Sequence, residues 1–123
     1  GDRSNRAFPL KSLVDSGATL VFGSDAPVSP LDPWVGIAAA VARTGDSRPP
    51  WLGFQGISIS EAIAFSQRSE LREGEPADIA VLEADPFWLT QASGKDMPKL
   101  GEALRSLPVF MTLSLGMVTY ANT

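Results

Sequence analysis

Apolar and polar positions alternate along this chain in two rhythms. A helical rhythm comes first. Leu10, Leu13 and Val14 share one helical face after Pro9, and Gly17 can take the left-handed position that ends the turn. Trp34, Ile37, Ala38 and Val41 then fall at i, i+3, i+4 and i+7 behind Asp32-Pro33, a capping residue followed by a good first helical residue. That spacing predicts an amphipathic helix ending near Arg43. Ser58 and Glu61 fit a capping box, with Ile57 placed to staple the start, so a third helix should present Ile59, Ala62 and Ile63 and fray near Arg68.

The second rhythm is that of strands. Residues 18–22 (ATLVF) form a short apolar run bounded by Gly17 and Gly23, the pattern of a parallel strand buried on both faces. Residues 77–82 (ADIAVL) read as another strand, stopped by Asp85-Pro86. Residues 109–113 and 117–120 flank Leu115-Gly116 as an antiparallel hairpin. Leu suits a type I′ turn poorly, so Gly116 in the left-handed position with a bulge is the expected geometry. Residues 23–33 carry Pro27, Pro30 and Pro33, a stiff loop at the end of the first strand. Residues 44–56 are loop by composition, and 86–107 read as irregular apart from a helical turn near Leu100 to Leu104. The fold class is α/β.

Composition narrows the chemistry. The 123 residues contain no Cys and no His, which excludes disulfides, thiolate or imidazole metal ligands and a Ser-His-Asp triad built from this chain. A net charge of -4 without a Lys/Arg cluster argues against nucleic acid or an anionic membrane as partner. The longest apolar run, residues 37–42, is too short to span a bilayer, and no signal segment follows Gly1. We expect a soluble, cytoplasmic protein. No phosphate loop is present, and Ser24 lacks both a base and a nucleophile-elbow sequence.

Asp25 is the sharpest chemical candidate. A carboxylate just past the C-terminal end of a parallel strand sits where α/β folds place their chemistry, able to ligate a divalent metal or accept a proton. Its ordinary alternative is a turn or cap residue in a Pro-rich loop. The carboxylates between Glu61 and Asp85 read as solvated faces and caps. Trp34 belongs to a core face, whereas Trp51 and Phe54 lie in a loop and are candidates for substrate contact.

The stretches RAFPL (6–10), LVDSGA (13–18), FGSDAPV (22–28), LDPW (31–34), ISISEAI (57–63), GEPADIAVL (74–82) and the final hairpin together resemble the end of the metal-dependent amidohydrolase superfamily. The branch they are most similar to holds the N-substituted formamide deformylases and exoenzyme regulatory proteins. The resemblance runs from residue 6 to 120. It implies a (β/α)8 TIM barrel joined to a small β-sandwich, with residues 1–70 as the last barrel strand and its helices and 71–123 as part of the sandwich. It implies a divalent metal such as zinc at the barrel mouth, with Asp25 as metal ligand and as the catalytic acceptor of the proton of the attacking water. The substrate class implied is a small non-peptide amide. The family's His-x-His, further histidines and lysine match nothing in this chain. We therefore expect a C-terminal fragment, inactive and metal-free by itself, that self-associates or joins the missing N-terminal part. A non-catalytic β-rich interaction module, with Asp25 a turn residue, is the alternative.

Overall fold

A computed structural model describes residues 2–123 of the chain. A 3-10 turn at Asp2–Arg6 leads into α1 (Leu10–Asp15), which closes as the glycine pattern predicts. Gly17 takes a φ of 84°. Its N–H donates to the Val14 carbonyl at 2.9 Å, and the Ala18 N–H donates to that of Leu13 at 3.1 Å, the paired bonds of a Schellman end.

Two helices form where their caps are written. In α2 (Pro33–Ala42) the Asp32 carboxylate accepts from the Trp34 N–H at 2.9 Å, and Pro33 opens the first turn. In α3 (Ile59–Ser66) the capping box is complete. Ser58 Oγ accepts from the Glu61 N–H at 3.1 Å, and the Glu61 carboxylate accepts from the Ser58 N–H at 2.8 Å.

The segment after the next strand departs from expectation. Residues 86–107 are not irregular: they form α4 (Pro86–Ser93) and α5 (Met97–Arg105). Each is opened by an aspartate, Asp85 and Asp96, whose carboxylate accepts from a first-turn amide. The core is built here. Trp34, Ile37 and Ala38 of α2 pack with Ile59 and Ala62 of α3 and with Leu100 and Leu104 of α5. The close approach of α2 and α5 depends on small residues. A Cβ on Gly101 would stand 3.1 Å from that of Ala42, tighter than ordinary packing allows.

The sheet is a three-stranded antiparallel meander of β1 (Ile79–Leu82), β2 (Val109–Ser114) and β3 (Met117–Ala121), in that order. Ile79 lies opposite Leu113 and Thr112 opposite Tyr120, with register shifts at Val81/Leu82 and Thr112/Leu113. Leu82 and Val109 tie the sheet to the helical core, while β3 is exposed throughout. The hairpin turn differs from expectation in one respect. Leu115 as well as Gly116 takes a positive φ, 49° and 80°. The cause is a clamp from the chain before β1. The Asp78 carboxylate accepts from the Leu115 N–H at 2.9 Å, and the Ala77 carbonyl from the Gly116 N–H at 3.0 Å. Those bonds hold Leu115 in a conformation it disfavours by itself.

Residues 18–22 do not form the predicted strand. They run alongside α3 without a ladder: the Phe22 N–H donates to the Phe65 carbonyl at 2.8 Å, and the two rings meet edge to face at 5.7 Å. A buried parallel strand needs a neighbour on each side, and among the described residues none is in place. Val21 is left 84% exposed.

Candidate functional site

Asp25 ends this extended segment and opens the proline-rich loop. Its φ is 53°, a left-handed conformation that Asp tolerates better than most residues. Its carbonyl accepts from the Val28 N–H at 2.9 Å, closing a turn around the cis Ala26–Pro27 bond. The Ser29 hydroxyl donates to the Ser24 carbonyl, and Asp32 anchors the far end of the loop to α2. The loop is thus held by its own hydrogen bonds, with the Asp25 side chain exposed to solvent.

The two aromatic candidates separate. Phe54 sits in a short 3-10 turn, Gly53–Gln55, with its ring largely exposed. That turn is pinned by buried Gln55, whose amide group donates to Ser12 Oγ at 2.8 Å and accepts from the Ser12 N–H at 3.0 Å. Trp51 instead lines a cleft of about 560 Å³ that includes Phe22 and Gly23 but neither Asp25 nor Phe54. Asp25, Trp51 and Phe54 therefore do not share one pocket in this structure.

The cleft reveals a residue that sequence reasoning missed. Arg43 caps the C-terminus of α2 with a φ of 58° and is 92% buried, only 8% of it remaining accessible. Its Nε donates to the Trp51 carbonyl at 3.2 Å and its Nη1 to the Phe8 carbonyl at 3.1 Å. The Trp51 ring lies 5.3 Å from the guanidinium carbon, a cation–π contact. Burial lowers the guanidinium's pKa from its ordinary value. An arginine directly after an apolar helix and before Thr44-Gly45 was the available signal.

The donor set does not suffice for a metal. With no Cys or His in the sequence, carboxylates are the available side-chain ligands. No group of three or more His, Cys, Asp or Glu residues among the described ones could hold an ion. Asp25 alone does not fit a metal centre.

Helices packed beside a short antiparallel sheet define a chain of α/β class, with Asp25 exposed on a loop closed by its own hydrogen bonds. Comparison with known proteins gives its kinship. The profile described as "Amidohydrolase family" matches residues 2–119, and the chain belongs to that family. It is also similar to a protein of Bacillus subtilis (strain 168) named "Putative amidohydrolase YtcJ", at 33% identity over 106 aligned residues. That match takes in 74% of this chain but 20% of the relative, so the chain spans about a fifth of that relative's length. No solved structure matches significantly.

Proposed function

We propose that this chain supplies the proton-handling carboxylate of a hydrolase that cleaves a non-peptide C–N bond in a small amide, an N-substituted formamide being the preferred class. In the reaction, a water oxygen bonds to the amide carbonyl carbon and its proton passes to Asp25. The C–N bond then breaks, and Asp25 returns that proton to the leaving nitrogen. Products are a carboxylic acid, formate for a formamide, and an amine. General acid–base catalysis of this kind needs a carboxylate that is exposed and positioned. Asp25 is exposed, and hydrogen bonds within its loop set its local backbone conformation; in this reading its position relative to substrate is set only when residues 18–22 are paired.

The observation that carries the reading is the family match across residues 2–119, which contains Asp25 within Gly23-Ser24-Asp25-Ala26-Pro27. A divalent metal such as zinc, where the parent enzyme uses one, would draw its other ligands from polypeptide beyond these residues. In the same reading, residues 18–22 are a TIM-barrel strand awaiting its neighbours, and residues 71–123 contribute to a β-sandwich. Trp51 and Phe54 would meet substrate only after such completion.

The test uses the protein encoded by the whole reading frame, assayed for amine release from a panel of N-substituted formamides. Asp25→Asn should reduce kcat by about 10²–10⁴-fold with an unchanged circular dichroism spectrum. Near-normal turnover in that variant removes Asp25 from the chemistry. Absence of hydrolysis by the unaltered protein favours the interaction-module alternative.

A further inference from the structure

We propose that Arg43 is a positioning residue for substrate recognition, holding Trp51 as the surface that meets the N-substituent of the amide. This role rests on the hydrolase reading, in which Trp51 meets substrate. Two observations carry it.

The first is that every part of Trp51 is tied to this one residue. The Trp51 N–H donates to the Arg43 carbonyl at 2.8 Å, the Trp51 carbonyl accepts from Arg43 Nε at 3.2 Å, and the ring lies 5.3 Å from the guanidinium carbon. The two backbone contacts close residues 44–50 into a loop against the end of α2. From the same guanidinium, Nη1 donates to the Phe8 carbonyl at 3.1 Å, just before α1. A planar, forked cation can hold two carbonyls and stack on a ring at once, which an ammonium cannot. None of these contacts involves residues 18–22, so the clamp stands whether or not further polypeptide pairs with that segment. Phe54 has a different anchor, the Gln55–Ser12 pair.

The second is that the clamp is kept against local preference. Arg43 takes its φ of 58° at the end of α2, where glycine is the relaxed choice. Its guanidinium is buried, no carboxylate among the described residues pairs with it, and its Nη2 has no acceptor there. A buried cation without a counter-ion and a buried donor without an acceptor both oppose folding. A helix that only had to stop would do so more favourably with glycine. Residues held in disfavoured backbone regions persist where their contacts over-determine them, and they concentrate at sites of function. What Arg43 gives in return is a fixed Trp51.

The chemistry of the substrate says what that ring would meet. In an N-substituted formamide the N-substituent is the part that does not react. Trp51, half-exposed, offers such a group apolar surface.

The test uses the protein encoded by the whole reading frame, with kcat and KM measured for N-hexylformamide and N-methylformamide. Arg43→Lys keeps a cation but cannot bridge both carbonyls, and Arg43→Gly keeps the helix end without the clamp. Each should raise KM for the hexyl substrate about tenfold with kcat held within about twofold, the signature of lost binding rather than lost chemistry. The methyl substrate, with little surface to lose, should change by less than about twofold in KM. Trp51→Ala should give the same pattern, and adding Arg43→Lys to it should have no further effect, as for two residues acting as one unit. Phe54→Ala should combine additively with Arg43→Lys. Equal KM changes for both substrates, a fall in kcat in place of the rise in KM, additivity with Trp51→Ala, or failure of both Arg43 variants to fold would overturn the positioning role. Asp25→Asn, measured alongside, separates the two readings. If it is inactive, any of those results strikes Arg43 alone. If it turns over normally, the proton-handling assignment falls and the KM values still decide for Arg43. Absence of hydrolysis by the unaltered protein overturns both.

Discussion

Leu104 on α5 provides the sharpest test of where stability resides. It is fully buried, at 0% exposure, and packs in the cluster shared by α2, α3 and α5. Leu104→Ala removes apolar carbons from a site with little freedom to close over the gap. The restraint is visible one turn away: Gly101 already lies so near Ala42 that even a hypothetical Cβ would stand 3.1 Å from the alanine's. Helix α5 cannot slide inward to fill the space, so the cavity should persist. Core Leu→Ala substitutions cost about 2.7–5 kcal/mol, rising with the volume of the residual cavity. A rigid site belongs in the middle or upper part of that range, at about 3–4 kcal/mol. An unfolding entropy of about 2.1 cal/mol/K per residue, over 123 residues, gives about 0.26 kcal/mol/K and a fall in Tm of about 12–15 °C. In urea, the midpoint should move by roughly 1.5–2 M at constant slope, with a slope near 2 kcal/mol/M. Leu71, 82% exposed in a loop, is the control, and Leu71→Ala should stay within about 0.5 kcal/mol of the unaltered chain. A Leu104→Ala cost below 1 kcal/mol, or one no larger than the control's, would show that the α2–α5 contact is not the structural centre.

Gly56→Ala should destabilise by about 1–3 kcal/mol in urea titration, since its Cβ would stand 2.9 Å from the Val41 carbonyl oxygen, a backbone atom that cannot swing aside; a neutral result would mean that α2 and this turn are less closely apposed. Ser58→Ala should cost about 1 kcal/mol by loss of the capping box, read as a lower Tm and earlier fraying of α3 by hydrogen exchange. Asp78→Asn tests the turn clamp through pH. The Leu115 N–H, and secondarily the Ser114 hydroxyl, hold the Asp78 carboxyl below its ordinary pKa. A depressed folded-state value contributes stability that is fully present above the unfolded pKa of about 3.9 and is lost as pH falls through the folded value. The Tm gap between the unaltered chain and Asp78→Asn should therefore be widest near neutrality and close as pH falls below about 4. Asp46 and Glu102, also depressed, are common to both proteins and cancel in the difference. A gap constant with pH would exclude the charge as its source.

What the sequence made legible was local. Asp32-Pro33, the Ser58 and Glu61 pair and Gly17 each act on atoms within a few residues, and each does what its chemistry predicts. Helices α4 and α5 use the same grammar, Asp85-Pro86 and Asp96-Met97-Pro98, but the first aspartate also reads as a strand stop. Gly101 interrupts the apolar stripe of α5, and its reason for being there, the nearness of Ala42, lies in another helix. The positive φ of Leu115 has the same character, being imposed by Asp78 thirty-seven residues away. Arg43 escaped notice because its burial is made by Phe8, thirty-five positions earlier, and by the loop at Trp51. Asp25 was found as a candidate from its place after an apolar run and from family resemblance.

That distinction bears on the candidate chemistry. The helices are complete in themselves, each opened or closed by hydrogen bonds to neighbouring residues, and their shared core does not draw on Val21. Residues 18–22 are the opposite case. Their composition suits a strand buried on both faces, yet among the described residues the Phe22 N–H is the one amide of 19–23 that donates to backbone. Asp25 hangs directly from this under-bonded segment. Its loop is ordered internally, between Ser24 and Ser29 and from Asp32 into α2, but the loop's position relative to any reacting group depends on residues 18–23. A catalytic carboxylate must be held to within about 0.5 Å of its productive position. Whatever polypeptide pairs with residues 18–22 would therefore do more than cover Val21: it would fix Asp25. Under the proposed function, strand completion and the fixing of Asp25 would be one event. Asp25 should gain order, measured by backbone NMR relaxation at Gly23 to Asp25, under the same conditions that protect the amides of Thr19 to Val21 from hydrogen exchange. Protection of those amides without any ordering of Asp25 would break the link.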